Sequence, residues 1–409
     1  MDLLFRGGTV LTCDPSIPDQ LVGDVLIRDG TIETVGPEVS GPDDAQVIDT
    51  TGAIVLPGLV DAHQHLWEAP YLLQHPDLGL GSYFTDFVPT AAAAVTPDGL
   101  FDATVLALTT AIRSGTTTTF DWCHVTNSLE HAEAAVAAAH QVGTRYVFGY
   151  GPPVALGYYG SDRPHPREME TFLQRHDNRT GDLVRLAAAL RGPDLSSAEL
   201  TRSDIERARA AGVPISMHVS THRAGPGGVT TLHRAGLLGP DIQLVHLTDA
   251  TGEELSMLAD SDTRVVVPPI AELSMGTGLP PLRQLANQHL GYGLGVDTVL
   301  GSPPDMFNQM RSAANVLRAA EWTGTEPPAG SLIKEVVLAA TIGGARASWL
   351  DQITGSLTPG KAADLLVFRP TRPVRTLSEA YGQIVWAGDD RRLESVLVGG
   401  RQMLGSPSP

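Results

Sequence analysis

Two rhythms of apolar and polar positions divide the chain. Near the start, short apolar runs are broken by turn residues. Residues 3–6 and 9–12 precede Asp14-Pro15, and 24–28 runs into Asp29-Gly30, a strong hairpin signal. Residues 31–35 and 46–49 add two more strands, making a small β-unit. From about residue 54 the rhythm changes to apolar runs alternating with helical stretches. Eight candidate strands follow, at 54–61, 117–121, 146–150, 184–190, 213–218, 243–246, 264–267 and 293–297.

The stretches between them carry helix marks. Thr96 can cap a helix that opens with Pro97. Its apolar face is Leu100, Ala103, Thr104, Ala107, Leu108 and Ala111, and Gly115 can end it. Asn127 with Glu130 resembles a capping box for an alanine-rich helix ending near Gly143. Eight such alternations suit a TIM-type barrel, which takes roughly 250 residues. A doubly wound open sheet is the alternative, but no Gly-x-Gly-x-x-Gly turn supports it. Residues 364–368 and 393–398 return to strands, so the two ends resemble each other. The expected fold is α/β: a (β/α)8 barrel over 57–355, and a composite β-sandwich domain built from 1–56 and 356–409.

Composition narrows the function. The 409 residues are 42% hydrophobic with a formal charge of −18, which repels phosphate backbones and anionic lipid. Neither nucleic acid nor a membrane is an expected partner; a small-molecule substrate is. No apolar run approaches the roughly 18 residues of a membrane helix, and the first residues do not read as a signal peptide. A cytoplasmic homo-oligomer is expected. Cys13 and Cys123 make neither a disulfide framework nor a cysteine zinc site. The only lysines are Lys334 and Lys361.

Strand ends carry the candidate chemistry. In Leu59-Val60-Asp61-Ala62-His63-Gln64-His65, the histidines are two apart and so share a strand face, making half a metal site. His218, His246 and Asp297 each end a predicted strand. TIM-barrel active sites lie where such ends converge. Loops behind strand ends add Trp67 and Glu68, Trp122, Cys123 and His124, and Tyr150. The tryptophans could form a stacking surface for a planar ligand, or pack beneath their loops. Cys123, with no evident base partner, reads as an inert buried thiol.

These motifs resemble the amidohydrolase superfamily, in particular its triazine hydrolase and cyclic aminohydrolase branch. Pro57-Gly58-Leu59-Val60-Asp61-Ala62-His63-Gln64-His65 is similar to the opening motif. Ala340-Thr341-Ile342-Gly343-Gly344-Ala345-Arg346-Ala347 and Gly355-Ser356-Leu357-Thr358-Pro359-Gly360-Lys361-Ala362-Ala363-Asp364 are similar to its last-helix and return motifs. The resemblance implies that His63, His65, His218 and Asp297 hold one divalent metal, Zn²⁺ as first choice, with Fe²⁺ or Mn²⁺ as alternatives. It also implies that Asp297 moves protons and that His246 orients substrate and water. Binuclear relatives bridge two metals through a lysine ending the fourth strand. Residues 184–190 contain none, which favours a single metal.

Two departures stand out. Thr221 occupies the place of a glutamate that, in the branch's deaminases, protonates a ring nitrogen; His222 could substitute. Val267 and Glu272 stand where many relatives have a histidine and an asparagine after the seventh strand. Glu272 could meet a cationic substrate group, carry a proton, or pair with an arginine. The expected activity is therefore metal-dependent hydrolysis of a non-peptide C–N bond in a small, cyclic molecule, with ring deamination less favoured than the resemblance suggests. The alternatives are a metal-dependent lyase, dehydratase or cyclase, and, further off, a non-catalytic binding protein.

Overall fold

The computed structural model describes residues 2–176, 183–221, 224–320 and 331–405. Two compact units emerge: Met1–Asp61 with Thr110–Thr118 and Asp305–Pro409, and Ala62–Thr109 with Thr119–Pro304.

In the first unit, the chain's two ends build one mixed sheet. Its strands are β1 (Leu3–Val10), β2 (Gln20–Arg28), β3 (Thr31–Gly36), β4 (Gln46–Asp49) and β5 (Ile54–Pro57), followed after the barrel strands by β14 (Leu365–Phe368), β15 (Leu393–Val398) and β16 (Arg401–Leu404). The order is β16-β15-β14-β5-β1-β2-β3, with β4 beside β1. β5 joins the ends, pairing parallel with β1 and antiparallel with β14. One apolar cluster seals the arrangement. Phe5, Val25 and Ile27 from the N-terminal strands pack with Leu357, Leu365, Val367 and Leu397 from the C-terminal segment. This unit also takes in helices that the sequence reading gave to the barrel. These are Met306–Ala320 and Ser331–Leu338, which pack with the helix Leu377–Ala387 of the C-terminal segment, and Arg311 donates to the Gly388 carbonyl at 2.8 Å.

The predicted strand 54–61 is in fact two. β5 ends at Pro57, and β6 (Leu59–Gln64) begins the barrel. Gly58 permits the break, because a Cβ there would lie 2.0 Å from Thr117 Oγ1. The barrel sheet continues with β7 (Thr116–Cys123), β8 (Arg145–Tyr150), β9 (Val184–Leu190), β10 (Ile215–Val219), β11 (Ile242–His246), β12 (Arg264–Val267) and β13 (Gly293–Leu294). These eight strands are parallel neighbours in sequence order and form a nearly closed barrel. The predicted eighth strand is cut to two residues. Its continuation still closes the ring, since Asp297 bridges to Gln64.

The helix Pro97–Arg113 forms as expected, with Thr96 Oγ1 accepting the Gly99 N–H and Leu100, Thr104 and Leu108 fully buried. The next helix, Leu129–Val142, is capped at Ser128 rather than Asn127. The Asn127 amide instead donates to the Ala92 carbonyl. Gly143 ends that helix in a left-handed conformation, as the sequence suggested.

Barrel closure depends on Gly295. A Cβ there would lie 2.8 Å from the His63 carbonyl oxygen and 3.1 Å from its nitrogen, backbone atoms that cannot step aside. Gly295→Ala is expected to cost about 1–3 kcal/mol through overpacking and to weaken metal retention. Gly252→Ala, in open space, is the control. Denaturant melts and metal analysis of both variants check this.

Candidate active site

The closing hydrogen bonds also assemble the site. The Asp297 N–H donates to the His63 carbonyl at 2.8 Å, and the His65 N–H donates to the Asp297 carbonyl at 3.0 Å. The last barrel segment is thereby threaded between the two histidines of the first. Asp297 (φ 64) and His246 (φ 80) lie in the left-handed region. Such backbone costs on the order of 1–3 kcal/mol per residue and is enriched at functional sites. Here it turns both side chains toward one centre.

His63, His65, His218 and Asp297 each offer a ligand atom, all within 4.8 Å of one another. His63 Nε2 and His65 Nε2 lie 3.3 and 3.2 Å from Asp297 Oδ1, and His218 Nε2 lies 3.1 Å from His63 Nε2. A metal with bonds of ~2.0–2.1 Å separates tetrahedral ligands by roughly 3.3–3.4 Å. The donors therefore already stand at ligand spacing, and the set fits a divalent transition metal. The His65 Nδ1 position is fixed 2.7 Å from the Trp122 carbonyl, which accepts its proton and leaves Nε2 as the ligand atom. Burial opposes the charge on Asp297, yet hydrogen bonds from His63 and His65 hold it well below the usual carboxylate range. Burial also opposes protonation of His65, but Asp297 outweighs it and raises His65 to about 9. A bound cation would take over the balancing of Asp297. Neither lysine stands in this cluster: Lys334 pairs with Asp19 and Lys361 donates to Ser356 Oγ.

A cavity of about 380 Å³ opens on the cluster. His65, His124, His218, His246 and Asp297 reach its wall, as the sequence reading asked. Several other expected residues do not line it. Trp67 is buried and stacks on Phe87, while its indole N–H donates to His124 Nε2 at 3.1 Å. Trp122 is buried behind the ligands, its ring centroid 4.6 Å from that of His218. The expected stacking surface is thus absent at these two positions, because both rings serve as packing behind the site. Glu68 is fully buried and receives hydrogen bonds of 2.6 Å from Tyr83 and Thr298. Burial pushes its carboxyl up to about 7.

Glu272 is fully buried, and its Oε1 lies 3.4 Å from His246 Nδ1. It faces neither an arginine nor the cavity; it backs His246. Burial raises Glu272 well above its usual value and lowers His246 to about 4, favouring the uncharged form of each. His246 Nε2 lies 4.0 Å from Asp297 Oδ2, across the site. Cys123 and Tyr150 are both buried, and burial pushes the Cys123 thiol well above its usual value. His222 lies outside the described residues.

Sequence reasoning missed Tyr83, Thr298 and Asp194. Tyr83 and Thr298 line the cavity and hold Glu68. Asp194 lies on the wall just after β9, where its Oδ2 accepts the Ser220 N–H at 2.6 Å. Tyr83 belongs to no motif. Asp194 was open to the same inspection of loops behind strand ends that found Trp67 and His124.

Asp297→Asn removes the charged ligand while leaving the closing backbone bonds in place. The variant is expected to fold but to retain less than about a tenth of the parent's metal. Adding Zn²⁺ should raise the melting temperature of the metal-stripped parent and not that of the variant, because only a ligand bound to the native state stabilises it. Elemental analysis and thermal melts check this.

Comparison with known proteins agrees with this geometry. A model of the amidohydrolase family matches residues 54–403. A 5-methylthioadenosine/S-adenosylhomocysteine deaminase of Syntrophobacter fumaroxidans is 28% identical, over 98% of this chain and 93% of its own. An adenosine deaminase of Xanthomonas campestris with bound zinc superposes with a TM-score of 0.83 at 24% identity, covering 99% of this chain and 93% of its own. The zinc complex of an atrazine chlorohydrolase from Arthrobacter aurescens superposes with a TM-score of 0.83 at 22% identity, covering 100% and 96%. With a barrel closed through a His₃Asp cluster and a family match over most of its length, the chain belongs to the amidohydrolase family and is a metal-dependent hydrolase of non-peptide C–N bonds in small molecules.

Proposed function

We propose that the protein hydrolyses the exocyclic C–N bond of an amino-substituted nitrogen heterocycle, releasing ammonia, with one Zn²⁺ held by His63, His65, His218 and Asp297. The observation that carries this reading is the His₃Asp cluster, of which His65, His218 and Asp297 reach the wall of a mostly apolar cavity of about 380 Å³, within the range of small-molecule sites. The full-length relative named for deamination of purine nucleosides supports it. The sequence alone ranked ring deamination below other C–N hydrolyses; the activity named for this relative supports placing it first.

The bound ion would supply a water nucleophile at neutral pH and polarise the bond under attack. Asp297 accepts a proton from the attacking water and later delivers it to the leaving amine. His246, across the site and backed by Glu272, orients the water and stabilises charge developing on oxygen. Phe84, Tyr159 and Leu195 also line a neighbouring apolar cavity of about 350 Å³, with Val88, Pro89 and Val154. Among the described lining residues of both cavities there is no Lys or Arg. The substrate class is therefore an uncharged heterocycle with room for an apolar substituent, such as a 5′-modified purine nucleoside.

The test is a panel of aminopurine nucleosides, free bases and aminotriazines given to Zn²⁺-loaded protein in ¹⁸O-water. One ammonia and one ¹⁸O per product are expected, together with at least a ten-fold kcat/KM preference for apolar over phosphorylated nucleosides. A product formed without uptake of water would overturn the reading in favour of a lyase or cyclase.

A further inference from the structure

Thr221 follows His218 by three residues and lines the cavity without an ionisable group. A carboxylate nonetheless stands beside it, delivered from another strand. Asp194 follows the end of β9 by four residues. Its Oδ2 accepts the backbone N–H of Ser220, the neighbour of Thr221, at 2.6 Å. Ser220 makes that turn in the left-handed region, at φ 56. Gly228 leaves space for the carboxylate, since a Cβ there would come within 2.6 Å of Asp194 Oδ1.

The histidines and the other carboxyl on the wall are committed elsewhere. His65, His218 and Asp297 belong to the metal cluster. His246 is backed by Glu272, and His124 receives the Trp67 indole N–H. Among the described residues, Asp194 is the one carboxyl that lines the cavity and lies outside the metal cluster.

We propose that Asp194 is a catalytic acid–base residue of the reaction, protonating the ring nitrogen of the heterocycle from the place where residue 221 supplies no carboxylate. The proposal rests on the deamination reading above. As water oxygen bonds to the amino-bearing carbon, Asp297 takes one water proton. The C=N π pair moves onto the ring nitrogen, which takes the proton of the Asp194 carboxylic acid. The Asp194 carboxylate then accepts the hydroxyl proton of the tetrahedral carbon. Asp297 returns its proton to the amine as the C–N bond breaks, releasing NH₃ and leaving a ring carbonyl. Both carboxyls end as they began, and the net change is one water consumed for one ammonia released. Burial pushes the Asp194 carboxyl up to about 6, so acid and carboxylate are both populated near neutrality.

The experiment compares the Zn²⁺-loaded parent with Asp194→Asn and with the double variant Asp194→Asn/Thr221→Glu, on a substrate that the panel identifies. The asparagine oxygen can still accept the Ser220 N–H, so folding and metal content are expected to match the parent. A fall in kcat of about 10²–10⁴-fold, the usual range for general acid–base catalysis, is expected with KM changed less than about three-fold. Restoring a carboxylate at residue 221 should recover at least ten-fold in kcat. An Asp194→Asn enzyme within two-fold of the parent overturns the assignment. So does a folded, metal-loaded double variant with no recovery, because that pattern marks a loop-holding role. A parent that releases no ammonia from any heterocycle instead overturns the deamination reading, and this assignment with it.

Discussion

Everything at the centre of this barrel depends on one backbone exchange, the pair of hydrogen bonds by which Asp297 inserts between His63 and His65. Parallel β-strands normally gain stability by extending such ladders. Here β13 is only two residues long, and the ring is completed by a residue outside any regular strand. The exchange gives closure and ligand placement together. Sliding the last segment by one residue would move the Asp297 carboxylate to the opposite face, because strand side chains alternate. Gly295 is the condition for that approach, since any side chain there meets the His63 backbone. Register, closure and metal geometry are therefore a single constraint.

Around that constraint lies a buried polar layer, part of which lines the cavity and part of which lies behind it. The Trp122 carbonyl fixes which nitrogen of His65 points inward. Glu272 sits behind His246, and Glu68 is held between Tyr83 and Thr298. Tyr83 links this layer further, its hydroxyl lying 3.3 Å from His124 Nε2. Buried carboxyls left charged would cost several kcal/mol. Burial instead raises Glu68 and Glu272 toward their neutral forms, in which a carboxyl can donate as well as accept a hydrogen bond. Residues that looked like substrate contacts in sequence thus shape the ligands from behind.

The metal half of the site was legible because it obeys periodicity. His63 and His65 share a strand face, and His218, His246 and Asp297 end predicted strands, so apolar runs and their last residues located all five. The barrel and the shared sheet of the two ends were legible for the same reason. The split at Gly58 was not, because it depends on Thr117, which is distant in sequence. The helix cap moved from Asn127 to Ser128, since both residue types cap well and only packing chooses between them. The orientation of loop side chains was also hidden. Trp67 and Trp122 follow strand ends as an active-site aromatic would, yet both rings turn inward, where indole is easier to enclose than to leave facing water.

That contrast separates two kinds of catalytic part. A metal ligand must keep its position to within a fraction of an ångström, so it sits at a strand end and leaves a periodic trace. A proton carrier needs only to reach the substrate, and a loop from either neighbouring strand can deliver it. β9 and β10 are paired, with Met217 opposite Leu190, so the loops that follow them leave the sheet side by side. A carboxyl presented from the loop after β9 or from the loop after β10 reaches the same part of the cavity wall. Thr221 at one position and Asp194 at the other therefore need not mean a lost function. Reading one loop at a time reports a missing carboxylate; reading the strand pairing reports a carboxylate moved by one strand.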